Sequence, residues 1–327
     1  MTFASVITKQ NVAINDSAKQ NLLRYARDKI LDHKGAEMTT PRLEATAATT
    51  TLRLHLSMPL TSSRIIDKGA LATSNEGDIF FATIEEMVIS PGVNFVDVEM
   101  ECTTKGEIGN GFTLSQVDTL VKPLPYIDYV ENITESNGGA ERELDEPYRD
   151  RIYLAPEKLS NAGSEGAYMY FAKTASALIS DVYVYMPKAG HVDVSVLLQG
   201  GDLPTQEIID KVTDAVSAKH VRPLTDHVSV HGPEIITFDI NVTYYIETDA
   251  VDKNVIHQKI TQAIDDYLIW QQSKIGRDIN PSKLISDCIK AGAKRIEVTD
   301  PIFTVVPNGQ VAHINLKSVV FGGVEDD

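Results

Sequence analysis

The chain has 327 residues, 43% hydrophobic and 23% charged, which suits two to four folded modules and excludes a disordered polymer. Its 46 acidic against 30 basic residues leave a formal net charge of −16, a field that repels phosphate backbones and argues against nucleic acid as a partner. No apolar run approaches the roughly 18 residues of a membrane span, and MTFASVITKQNVAIND lacks the layout of a secretory signal, so neither membrane nor export is expected.

In chain order, the sequence first predicts two helices. Asp16 or Ser17 caps one over 17–34, with Leu22, Leu23, Ala26, Ile30 and Leu31 at helical spacing and Gly35 as its C-terminal cap. Pro41 opens the second over 41–57, where Leu43, Ala47, Thr50 and Leu54 repeat at three and four before Pro59 stops it. Its threonines lower helix propensity, so a packing partner must hold it. From 62 to 124 the period changes to strands. Residues 80–84 and 87–89 are short apolar runs, and Val96, Val98, Met100 and Cys102 alternate with Asp97, Glu99, Glu101 and Thr103. Gly106, Gly109 and Gly111 punctuate the turn that follows. Cys102 on this strand and Cys288 on a later helix face read as buried thiols, a usage that fits assembly in a reducing cytoplasm.

Asp145 caps a further helix with Pro147 in its first turn and Tyr148, Ile152 and Tyr153 behind it. Ser164 caps another, bearing Tyr168, Phe171, Ala172 and Ala175. Residues 181–186 and 191–198 flank Pro187-Lys188-Ala189-Gly190 as a hairpin. Pro204 and Thr205 begin a helix with Ile208, Ile209, Val212, Ala215 and Val216 on one face, followed by a strand around Val228 and Val230. Ile236, Phe238, Ile240, Val242, Tyr244 and Ile246 then occupy consecutive even positions, a clear period-two signal. A long helix carries Ile256, Ile260, Ala263, Ile264, Tyr267 and Leu268, and another runs from Asn280-Pro281 to near Gly292. Asn308-Gly309 reads as a type I′ hairpin turn. The expected fold class is α+β and multidomain: a helical arm over 1–60, a small β-rich domain over 61–130, a helical and α+β module over 131–232, and a C-terminal α+β module over 233–327.

Signatures of chemistry are sparse. No GxxxxGK[ST], GxGxxG after a strand, GxSxG or HExxH occurs, so no cofactor or catalytic residue is indicated. His220, His227 and His231 cluster, and His227 and His231 share a strand face, but Asp226 and Glu234 nearby do not complete a metal-ligand pattern. The densest carboxylate stretch, residues 141–151, interleaves with three arginines in a capped helix start. Paired carboxylates can cleave glycosides when they converge across a cleft, yet acids near a helix N-terminus with arginine one turn on also suit the helix dipole.

That stretch resembles a known family. Gly138-Gly139-Ala140-Glu141, then Glu143-Leu144-Asp145-Glu146-Pro147-Tyr148-Arg149-Asp150-Arg151-Ile152, is similar to the charged signature of baseplate J-like proteins. Gly163-Ser164 with Ala167-Tyr168, Asp181-Val182-Tyr183-Val184 with Gly190-His191-Val192-Asp193-Val194, Val221-Arg222-Pro223-Leu224-Thr225-Asp226, and Gly106-x-x-Gly109-Asn110 resemble its companion segments. Met169 departs from the arginine usual there. The resemblance implies a structural wedge subunit of a contractile tail baseplate in a phage or bacteriocin particle, forming a ring around the central hub and switching conformation on triggering. It implies as partners a second copy, a smaller wedge protein and a sheath-initiating baseplate protein of lysozyme-like fold. The helical arm would supply the bundle contacts through Leu22, Leu23, Ala26, Ile30, Leu43, Ala47 and Leu54, since each aliphatic side chain left wet costs about 1.5–3 kcal/mol. A tail-associated carbohydrate-active enzyme or an adhesin is the alternative.

Overall fold

The computed structural model describes residues 3–74, 77–160, 163–218, 221–223, 225–249 and 252–326, with side chains from residue 5 onward. The chain divides into two compact units, residues 1–153 and 154–327. No described helix is long and apolar enough to cross a membrane.

The first unit opens with α1 (Phe3–Gln20) and α2 (Asp28–Glu37), where one helix over 17–34 was expected. Arg27 holds the break. Its amide donates to Gln20 Oε1 at 3.1 Å, and its guanidinium forks onto Asp16 at 2.8 and 3.1 Å. Asp16 is therefore an ion-pair anchor, and Gly35 lies inside α2 instead of capping it.

The expected helix over 41–57 is instead coil followed by β1 (Thr49–Leu56), with Thr50, Leu52 and Leu54 turned inward. Three successive β-branched threonines and a Leu-x-Leu-x-Leu series suit a pleated surface better than a helical turn. Then come β2 (Arg64–Ile66), β3 (Leu71–Ser74), β4 (Phe80–Thr83), β5 (Met87–Ile89), β6 (Phe95–Cys102), β7 (Val117–Leu120) and β8 (Ile127–Asn132). Six of these form one antiparallel sheet in the order β7-β3-β4-β6-β1-β8, while β2 and β5 make a separate ribbon. Along β6, Val98, Met100 and Cys102 face the core and Glu99 and Glu101 face water, as the alternation predicts.

The two edge strands meet through Asn132, which is 1% exposed. Its Oδ1 accepts from Val117 N at 2.9 Å, and its Nδ2 donates to the carbonyls of Thr113 (2.9 Å) and Thr134 (2.8 Å). One side-chain amide thus satisfies backbone groups that an open sheet edge would leave unpaired. The unit ends with α3 (Asp145–Leu154).

The second unit contains α4 (Glu165–Ala175), β9 (Ile179–Lys188), β10 (His191–Leu198), α5 (Gln206–Ser217), β11 (His227–His231), β12 (Glu234–Glu247), α6 (Lys253–Gln272), α7 (Pro281–Lys290), β13 (Arg295–Asp300) and β14 (Gln310–Glu325). Two small three-stranded sheets result, β11-β10-β9 and β13-β12-β14. Tyr168, Ile208, Val212 and Val216 from α4 and α5 pack on the first sheet; Ile260, Ile264, Tyr267 and Leu284 from α6 and α7 pack on the second. The even positions Phe238 to Ile246 are all buried on β12. Ser164 and Asn280 cap α4 and α7 through their side chains, as expected.

Asn308-Gly309 is not a hairpin turn. β13 and β14 flank β12 on opposite sides, antiparallel and parallel respectively. Gly309 has φ 87° but Asn308 is not left-handed, whereas a type I′ turn needs both. Both cysteines are free and buried, and burial pushes the Cys288 thiol up to about 11.

Replacing Asn132 with Ala strands the buried Val117 amide. It should destabilise the chain by about 1–3 kcal/mol in denaturant unfolding, with no comparable loss for an exposed Asn94→Ala control.

Candidate functional site: a buried arginine clamp

The charged stretch identified in the sequence closes on segments about a hundred residues upstream. Arg151, on the last turn of α3, is 1% exposed and grips Glu143 with both arms of its guanidinium, at 2.6 and 2.7 Å. A second bond from Arg151 Nη2 reaches the Pro41 carbonyl at 2.7 Å. Glu143 in turn accepts from the Leu43 amide at 3.0 Å, and its own amide donates to the Leu43 carbonyl at 3.0 Å. A buried ion pair survives only when its remaining lone pairs and protons are satisfied, and here the backbone does that.

Arg42 adds a second layer. Its Nη1 donates to the Glu143 carbonyl at 2.8 Å, its Nε to Asp32 at 2.8 Å, and its Nη2 lies 2.7 Å from Asp145. Burial alone would lower its pKa, but Asp32 and Asp145 hold it above the ordinary value. Asp145 also accepts the Asp28 amide at 3.0 Å, where Asp28 opens α2 with φ 49°. Burial pulls the Asp145 carboxyl up, yet that amide, Arg42 and Arg149 together keep it below the usual carboxylate range.

Tyr148 is fully buried between Arg42 and Arg151, with guanidinium carbons 4.5 and 5.6 Å from its ring centre. Its hydroxyl donates to the Thr40 carbonyl at 2.9 Å. This seat explains Gly35: a Cβ there would lie 1.8 Å from the Tyr148 hydroxyl. Arg149 completes the clamp by donating to the carbonyls of Leu23 (2.9 Å) and Ala26 (2.7 Å), in the turn between α1 and α2. The helix-dipole reading of the stretch also holds, with Asp145 and Glu146 in the first turn of α3 and Arg151 in its last, and Glu146 pairs locally with Arg149 at 2.7 Å.

The expected contact residues do not share one face. Leu22 and Ile30 are exposed at 59% and 43%, and Leu23 is half-buried. Ala26 is sealed beside Leu31, Tyr148 and Ile152. Leu43 is half-buried beside Glu143, Ala47 packs against the barrel core, and Leu54 is inside it. The 41–57 half of the expected arm therefore belongs to the protomer's own sheet.

The companion segments are likewise scaffold. The Asn110 amide pairs with the Gly139 peptide at 2.8 and 2.9 Å, and a Cβ on Gly139 would lie 2.4 Å from the Gly106 carbonyl. In the second unit, the Tyr168 hydroxyl donates to Asp226 at 2.8 Å, and Arg222 donates to the Asp226 carbonyl at 2.6 Å. Burial and the Asp226 charge raise the Tyr168 pKa far above its ordinary value. His231 Nδ1 donates to the Gly232 carbonyl at 2.8 Å, and His227 lies 5.3 Å from His191, ring to ring. Among the described residues no metal-ligand group forms. His220 and Leu224 lie outside the described residues.

Three family models match the chain in order. The Baseplate J-like protein barrel domain covers 44–139, the Baseplate J-like central domain 160–232 and the Baseplate J-like protein C-terminal domain 237–320. The chain belongs to the baseplate J-like family. Its barrel domain is the six-stranded sheet closed by Asn132, and the clamp follows directly behind that domain. Baseplate protein J of Escherichia phage P2 is 31% identical over 186 residues, 56% of this chain and 61% of that protein, so less than two thirds of the relative's length is matched. A cryo-EM structure of the anti-feeding prophage baseplate, 6-fold symmetrised, aligns over 84% of this chain and 77% of that one, at 11% identity and a TM-score of 0.39.

Replacing Arg151 with Met leaves Glu143 buried and unpaired, and should cost about 3–5 kcal/mol in denaturant unfolding. The Arg151→Met, Glu143→Met double variant should recover part of that loss. The Asp145 pKa is lowered on folding, so its contribution is complete above the ordinary carboxylate value of about 3.9. Melting temperatures taken against pH should therefore show the wild-type advantage over Asp145→Asn intact at neutral pH. It should disappear as pH falls through the lowered value.

Proposed function

We propose that this chain is a non-enzymatic structural subunit of a contractile tail baseplate, in a phage tail or a bacteriocin particle assembled in the host cytoplasm. The ordered match of three baseplate J-like domains supports this reading most strongly. The name of the phage P2 relative points the same way. The carboxylates that a tail-borne glycosidase would use are already engaged: Glu143 by Arg151, Asp145 by Arg42 and a backbone amide.

Within the baseplate, the proposed role is that of a wedge subunit, and α1 is its contact arm. Helices in folded proteins draw most of their stability from packing one face. From Val6 to Asn15, every α1 side chain is exposed, with Val12 at 63% and Ile14 at 68%. A bundle with a second copy and a smaller wedge protein would cover that face, together with Leu22 and Ile30. A sheath-initiating protein of lysozyme-like fold is the proposed neighbour. The ring so formed around the hub would switch by exchanging one packed interface for another.

A Leu22→Asp, Ile30→Asp variant should fold with an unchanged melting temperature, because both side chains are exposed. It should fail to enter tail particles in a complementation assay scored by particle composition. Normal incorporation would remove the arm from the proposal.

A further inference from the structure

The barrel domain holds a cavity of about 390 Å³. Leu52 and Leu54 of β1 and Met100 of β6 form its floor, and all three are buried. A wall comes from Ile65 and Ile66 of β2, in the ribbon that stands separate from the six-stranded sheet. The hydroxyl in the lining belongs to Thr83, and it is already engaged. Its Oγ1 donates to the Asp67 carbonyl at 2.7 Å and accepts from the Ala70 amide at 2.9 Å. The deep side chains therefore present apolar surface, and a cavity of that kind stays dry and takes apolar guests.

The rim is of another character. Ile65 and Val121 stand there 54% and 48% exposed, together with three exposed charges, Asp67, Lys68 and Lys122. Among the described residues, neither lysine lies within ion-pair distance of a carboxylate, that of Asp67 included. Two ammoniums against one carboxylate leave the rim one positive charge in excess, on a chain whose net charge is −16. Apolar pockets of about 300–1,000 Å³ in the mouths of β-barrels, with a few polar groups that fix orientation, are common small-molecule sites.

We propose that this cavity binds a single-chain amphiphile with a monoanionic head, a long-chain alkyl carboxylate. The chain enters past Ile65 and Val121, and the carboxylate stays at the rim with Lys68 and Lys122. One anionic head balances the excess that remains after Asp67 is counted. A cationic head would meet two like charges and one opposite, and an uncharged head would leave the excess unanswered. Because the rim charges are solvated, they supply selectivity of only several-fold. Burial of the hydrocarbon supplies most of the affinity, so each added methylene tightens binding about fourfold until the cavity is full. The proposal is independent of the baseplate reading, and purified chain suffices to test it.

The experiment titrates the full chain with octanoate, decanoate and dodecanoate in a calorimeter, each below its micelle concentration. One equivalent should bind, more tightly as the chain lengthens, and dodecyltrimethylammonium should bind several-fold more weakly than dodecanoate. Val121→Trp blocks the rim from an exposed position, and should cut dodecanoate affinity at least tenfold with circular dichroism and melting temperature unchanged. A Lys68→Gln, Lys122→Gln variant should lose affinity for dodecanoate several-fold but keep its affinity for dodecanol. Asp67→Asn should bind dodecanoate several-fold more tightly. No binding at the solubility limit of dodecanoate, uptake of many equivalents, or binding untouched by Val121→Trp would overturn the proposal. Weaker binding by Asp67→Asn would also overturn it, since Asp67 would then be holding the head itself.

Discussion

The bidentate pair of Arg151 and Glu143 sets the terms for everything around it. Two charges only 1% and 3% exposed are destabilising unless each remaining proton and lone pair finds a partner. Those partners are the Pro41 carbonyl and the Leu43 amide, so the segment leading into the barrel can take one path. Arg42 lies on that path and binds Asp32 and Asp145. Tyr148 fills the space between the two guanidiniums and requires glycine at position 35. A buried polar network paired as closely as this one specifies one packing arrangement more sharply than apolar contact alone.

The same network reaches the helical arm. Asp145 receives the first amide of α2, and Arg149 holds two carbonyls in the turn before it. The base of the arm is thereby fastened while the outward side chains of α1 stay in water. For a subunit proposed to dock through that arm, this fastening reduces the ordering cost left for assembly. The motif that signals the family thus acts as a positioning device.

Much of this was legible in the sequence. The even positions of β12, the alternation of β6 and the caps Ser164 and Asn280 follow from local rules. The segment 41–57 did not, because Leu43, Ala47, Thr50 and Leu54 satisfy a helical period while Thr50, Leu52, Leu54 and Leu56 satisfy a strand period. Pairing of β1 with β6 and β8 on either side decides between them. Asn308-Gly309 misled for a related reason: the dipeptide encodes a turn but not which strands it joins. Gly35 was placed at a helix end, and its true cause, the Tyr148 hydroxyl, comes from a residue far along the chain. Arg42 and Asn132 carried no local signal at all. Their partners are distant in sequence, and a lone arginine or asparagine reads as surface until the contact is seen.

The most direct test is native-state hydrogen exchange on the full chain, followed at the amides of Leu31 and Leu43 against that of Ile152. A clamp that fastens the arm predicts that all three open together, with one free energy close to that of global unfolding. Exchange at Leu31 and Leu43 as fast as along the exposed part of α1, while Ile152 stays protected, would mean that the arm is held by nothing in its own chain.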